Sequence, residues 1–106
     1  MKKDLDGIWI INAEAKTTFA SERMAEILGT TSTKMAGQSS FDYLYPEDVD
    51  AAQKLFEAKI RGDSKPFHFK LRRKDGSAIW VDIQGTPMHN AAGEFRGVVG
   101  TFSVAE

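Results

Sequence analysis

Side chains able to do chemistry are few in this 106-residue chain, which has two histidines, no cysteine, and fourteen basic against fifteen acidic residues. His68, Asp82 and Ser103 fall on strand-like segments with matching parity, and Ser, His and a carboxylate are the residue types of nucleophilic catalysis. No Gly-x-Ser-x-Gly elbow or oxyanion-donor pattern accompanies them, and solvated sheet faces commonly present such residues. No catalytic residue is therefore assigned, and the domain is not read as an enzyme. Glu47, Asp48 and Asp50 follow Pro46 at a helix start, where the dipole favours negative charge. Arg72-Arg73-Lys74 is a short basic tip in a chain of net charge −1 and does not make a nucleic-acid surface. The lack of cysteine removes disulfides, thiolate zinc sites, iron–sulfur clusters and cysteine nucleophiles. His68 and His89, set far apart, converge too few ligands to hold a metal, so no metal site is expected.

The length suits one domain, read as residues 1–106, and hydrophobic and charged residues at 42% and 27% suit a folded one. The longest apolar run, Ile8-Trp9-Ile10-Ile11, is too short to span a bilayer, and Met1-Lys2-Lys3-Asp4 leads into it without the long apolar stretch of a signal peptide. A cytoplasmic location, or the cytoplasmic part of a membrane-anchored sensor, is expected, without direct membrane insertion.

Gly7 to Asn12 and Thr17 to Ala20 read as a β-hairpin. Trp9 and Ile11 alternate with Ile8 and Ile10, all apolar, so the inward parity stays open. Ser21 is an N-cap for a helix from Glu22 to Leu28, with Gly29 after its end. Ser32 caps one further turn, and Phe41 to Leu44 makes another. Pro46 opens a helix to Arg61, with Val49, Ala52, Phe56 and Ile60 on one stripe and Leu55 beside it, while Lys54, Glu57 and Lys59 face water. Residues 66–104 then change period from 3.6 to 2. Phe67, Phe69 and Leu71, then Ile79, Val81 and Ile83, then Val98, Phe102 and Val104 alternate with polar neighbours in a three-strand meander, with turns at Asp75-Gly76 and at His89 to Gly93. The expected class is α+β, a five-stranded antiparallel sheet with helices on one face.

In this order the segments Asp6 to Asn12, Phe19 to Gly29, Tyr45-Pro46-Glu47-Asp48, Leu71 to Val81, Thr86-Pro87-Met88 and Gly97 to Gly100 resemble the PAS domain with its C-terminal PAC segment. The resemblance implies sheet order 2-1-5-4-3, a PAC-like meander over 66–104 and residues 1–5 as the remnant of an N-terminal flank. Ser21 stands where an Asn is usual, Tyr45 where a His often precedes the Pro, and Ser103-Val104-Ala105 replaces a terminal Asp-Ile-Thr that anchors the outgoing linker.

PAS domains sense by holding a ligand between helices and sheet. Flavin photochemistry needs a cysteine near Gly37 to Phe41, where serines stand, and amides near Leu71, Val81 and Phe102, which are apolar; haem needs a His on the long helix, which has none. Neither cofactor is expected. The residues expected to line a pocket are Met24, Leu28, Ser40, Phe41, Tyr43, Val49, Phe56, Phe69, Leu71, Val81, Ile83 and Phe102, suited to a small, largely apolar molecule; the competing reading is that they simply fill the core. On the outer sheet face His68, Trp80, Val99 and Thr101 are the expected homodimer contacts, because Trp is enriched at interface hot spots. The first expectation is a sensory PAS domain of a sensor histidine kinase, coupled to an output domain of the same polypeptide. The alternative is a ligand-free dimerisation module in a diguanylate cyclase or transcription regulator.

Overall fold

A computed structural model describes residues 7–105. The expectation about residues 1–5 lies outside that range. The first apolar run forms strand β1 (Gly7–Asn12), and Thr17–Ala20 returns beside it as β2. Asn12 shapes the connection, its side-chain oxygen accepting from the backbone N–H groups of Glu14 and Lys16 at 2.9 and 3.0 Å. Three short helical pieces follow. Helix α1 (Glu22–Leu28) is capped by Ser21, whose hydroxyl accepts from Met24 N, and ends at Gly29 with φ 75°. Helix α2 (Ser32–Met35) is capped by Thr31 and not by Ser32: Thr31 has the extended backbone of a cap, and its hydroxyl accepts from Lys34 N. A 3-10 turn over Ser40–Tyr43 is capped by Ser39.

The long helix begins one turn later than its proline suggests. Pro46–Asp48 winds as a 3-10 turn before helix α3 (Val49–Ile60) starts. Past its end the chain reverses at Gly62, φ 98°, with Asp63 N donating to Ala58 O. Three long strands complete the domain, β3 (Phe67–Arg72), β4 (Ala78–His89) and β5 (Phe95–Val104).

All five strands pair antiparallel in the order β2-β1-β5-β4-β3, so the first and last strands meet at the centre of the sheet. The α+β sheet order implied by the resemblance is the observed one. Register settles the open parity of β1: Trp9 lies opposite Ala20 and Gly100 and is buried, whereas Ile8, opposite Thr101, is exposed. Trp9 is then a central core side chain. Its indole N–H donates to the buried Thr17 hydroxyl at 2.8 Å, and its ring meets Tyr43 edge-on with centroids 5.5 Å apart. A buried indole needs such a partner, because an unpaired N–H would forfeit its hydration.

Two glycines are required by this packing. A Cβ on Gly7 would lie 2.7 Å from Met24 Cα, so α1 sits directly on the backbone of β1. Gly97 has φ 145°, and a Cβ there would run into the Ile11 carbonyl oxygen and reach 3.0 Å from Asn12 Cα. Gly97→Ala is expected to cost more than about 2 kcal/mol and to lower the thermal midpoint by more than about 8 °C. Calorimetry showing a midpoint within a degree or two of wild type would contradict that close approach.

Candidate functional site

The row of inward positions across the middle of the sheet reads Gly85, Gly100, Trp9, Ala20, each opposite the next. Two adjacent glycines leave a bare patch of backbone where every neighbouring row carries large side chains. Phe102 leans over part of it, since a Cβ on Gly100 would meet the Phe102 ring at 2.7 Å. What remains, under α3, is a cavity of about 120 Å³.

Its walls come from Ala52, Leu55, Phe56 and Lys59 of α3, Ser40, Phe41 and Leu44 before that helix, Phe67, Phe69, Leu71, Ile83 and Gly85 of β3 and β4, and Trp9, Ile11, Val98, Gly100 and Phe102 of β1 and β5. Among the residues expected to line a pocket, Ser40, Phe41, Phe56, Phe69, Leu71, Ile83 and Phe102 do so. Met24, Leu28, Tyr43, Val49 and Val81 do not. Met24, Leu28 and Val81 are fully buried in the part of the core where α1 packs tightly on the sheet. Tyr43 is buried against Trp9, and its hydroxyl donates to Gln38 Oε1 at 2.8 Å. Burial, and secondly the charge of Asp42, hold that phenol above its ordinary pKa. Val49 packs on the edge of the core without reaching the cavity.

The expectation that Lys59 faces water is overturned. Lys59 is 4% exposed, and Ile60, expected on the buried stripe, is 41% exposed. α3 lies over the glycine patch, and the lysine is the side chain whose stem fits there. Its Cε sits 3.2 Å from where a Gly85 Cβ would stand. Its ammonium donates to Lys65 O at 3.1 Å and lies 5.3 Å from the centre of the Phe67 ring. A charged end on an otherwise apolar stripe looks solvated in sequence; the only hint was a glycine interrupting the apolar inner positions of β4. Burial lowers the Lys59 pKa, partly offset by the charge of Asp63.

On the opposite sheet face, His68 Nδ1 lies 2.9 Å from Asp82 Oδ1, and the imidazole stacks on Trp80 with centroids 4.8 Å apart. Trp80 is 47% exposed. Thr101 is exposed and Val99 partly so, on the same face. Ser103 pairs with Asp82 across the strands, and none of these residues lines the cavity beneath α3. Among the described residues no cluster of three or more His, Cys, Asp or Glu could hold a metal, and no helix is long and apolar enough to cross a membrane.

Because the fold holds the Lys59 pKa below that of the unfolded chain, the penalty for burying its charge is full at neutral pH. It fades as pH rises from the lowered folded value toward the ordinary 10.5. Lys59→Met, of similar length, is expected to stabilise the domain at pH 7 by about 1 kcal/mol, or roughly 4–8 °C in Tm, with the advantage shrinking toward pH 10. Parallel melting curves of the two proteins check this; a pH-independent difference would show that the ammonium is not desolvated.

The family model described as PAS fold matches residues 17–102. Among curated relatives, basic helix-loop-helix ARNT-like protein 2 of Gallus gallus is 35% identical over 81 residues, covering 76% of this chain and 12% of the relative. The chain thus spans only a small part of the curated relatives it matches. Among solved structures, the PAS domain of a Colwellia psychrerythraea protein superposes with TM-score 0.84 at 15% identity, over 94% of this chain and 86% of that one. A sensory box histidine kinase/response regulator from Burkholderia thailandensis gives 0.75 at 20%, over 94% and 76%. A light-oxygen-voltage domain studied with a flavin analogue gives 0.79 at 18%, over 97% and 78%. At these identities the structures establish the fold. Together with the family match and the sheet order, they show that this chain belongs to the PAS family.

Proposed function

We propose that this chain is the sensory and protein-interaction core of a signalling protein, holding a small, largely apolar molecule between α3 and the sheet. The observation that carries the reading is the cavity beneath α3. The space, about 120 Å³, is partly open to solvent and lined almost wholly by apolar groups, so a ligand of single-ring size that fills it removes that lining from water, at roughly 25 cal/mol for each Å² buried. The three fused rings of a flavin ask for a larger space, and no cysteine is present to form a thiol adduct. α3 carries no histidine for a haem. No catalytic role is assigned to the domain.

Occupancy would act through β4 and β5, whose inward residues line the cavity and whose outward residues, Trp80, Val99 and Thr101, form the proposed homodimer surface with His68. A ligand that fits one arrangement of these strands better than another shifts the population toward it. The parent is proposed as a cytoplasmic sensor histidine kinase with the output domain on the same polypeptide, and the similarity to a sensory box kinase supports this. The alternative, a ligand-free interaction module of a transcription regulator, draws support from the basic helix-loop-helix relative; a diguanylate cyclase is a further parent of that kind.

Native mass spectrometry of the purified protein with its absorbance spectrum tests for a co-purified molecule, and a visible flavin band would overturn the apolar-pocket reading. Toluene added to the apo protein is expected to shift amide resonances around Ala52, Phe67 and Phe102. Ala52→Leu, which fills the cavity from α3, is expected to abolish those shifts while raising stability by about 1 kcal/mol. Unchanged toluene binding in the variant would place the ligand elsewhere. Trp80→Ala is expected to weaken self-association at least tenfold by light scattering, and an unchanged dimer would remove the outer face from the interface.

A further inference from the structure

We infer that the cavity selects a small monocarboxylate, an aromatic or short aliphatic acid whose carboxylate pairs with the Lys59 ammonium while its apolar body fills the space over Gly85 and Gly100. The inference rests on the reading of this cavity as a ligand site and names the class of ligand.

Lys59 lines a cavity whose other walls are almost wholly apolar, and it is 4% exposed. Its ammonium has three protons to donate. Among the described residues it makes one hydrogen bond, to Lys65 O at 3.1 Å, and no ion pair. Asp63, whose charge acts on the ammonium, forms no ion pair with it and accepts from Lys65 N through Oδ1 at 3.0 Å. Buried charges are ordinarily paired, because an unpaired one gives up its hydration without return. A neutral lysine packed against Phe67 would satisfy the walls, yet a leucine or methionine would do so without a polar end. The ammonium lies above one cavity wall, Phe67, and its stem crosses another, Gly85. A carboxylate there would accept the unused protons in charge-assisted bonds.

Size limits the rest of the ligand. About 120 Å³ suits one ring or a short branched chain as the apolar body. Ser40 is the other polar side chain on the wall and offers a hydroxyl to a ring substituent.

The test compares benzoate, benzyl alcohol and toluene on the apo wild-type protein by amide chemical-shift titration at pH 7. Lys59→Met is run beside it, its fold checked by the unperturbed strand resonances. The expected result is that benzoate binds wild type at least tenfold more tightly than either neutral ring, and that Lys59→Met loses that preference while still binding toluene. Equal affinity of wild type for benzoate and toluene would overturn the carboxylate inference and leave the apolar site standing. Binding of none of the three to wild type would overturn the ligand-site reading itself. Should Lys59→Met not fold, the ranking on wild type alone decides.

Discussion

The cross-strand pair Gly85 and Gly100, at the centre of the inner sheet face, is the constraint from which the rest of this domain's interior follows. Sheets fill their covered face with side chains alternating along each strand, so two facing glycines remove both contributions at one level. Three features answer that gap. Phe102 tilts over Gly100, Trp9 closes the row on the far side, and the stem of Lys59 drops toward Gly85 from α3. The residual space lies under the helix, away from the tightly packed contact between α1 and β1 that Gly7 permits.

The core is thus divided. Around Met24, Leu28, Met35 and Val81 side chains are fully buried and closely fitted, anchored by the indole–hydroxyl bond between Trp9 and Thr17. Around α3 the lining mixes buried side chains such as Lys59 and Phe102 with the partly buried Phe41, Ala52, Leu55 and Phe56, and Phe41, Phe56 and Phe95 meet edge to face in a chain of aromatic contacts. Close packing lies on one side of the core, and the partly open space lies on the other, under α3. The alternation of β4 and β5 sets the two faces of the sheet on the same strands, with Trp80, Val99 and Thr101 facing away from the cavity.

Much of this was legible in the chain. The change of period at residue 66, the Asp75-Gly76 turn, the Ser21 cap and the Pro46 start placed the elements, and the combination of motifs identified the family. The lining residues from β3, β4 and β5 followed from parity, because alternation within a strand is a local property. Three things were not legible. Trp9 and Ile8 sit in a run apolar on both faces, and the inward face was decided by pairing with β2 and β5. Met24, Leu28, Tyr43, Val49 and Val81 lie in the core or at its edge but do not line this cavity, because inwardness does not say whether a position meets a neighbour or a void. Lys59 reads as solvent-facing in the sequence, because lysines are mostly exposed, and only its place over Gly85 buries it.

Composition, capping, period and turn chemistry by themselves determined which segments are strands and helices, their family, and the exclusion of thiol chemistry, since each depends on residues close together in the chain. Only the tertiary structure decided where the interior is empty and that a cation lies beside the emptiness. Both result from Gly85, Gly100 and α3 arriving at one place from distant parts of the chain, and burial is a property of that meeting, not of any residue within it.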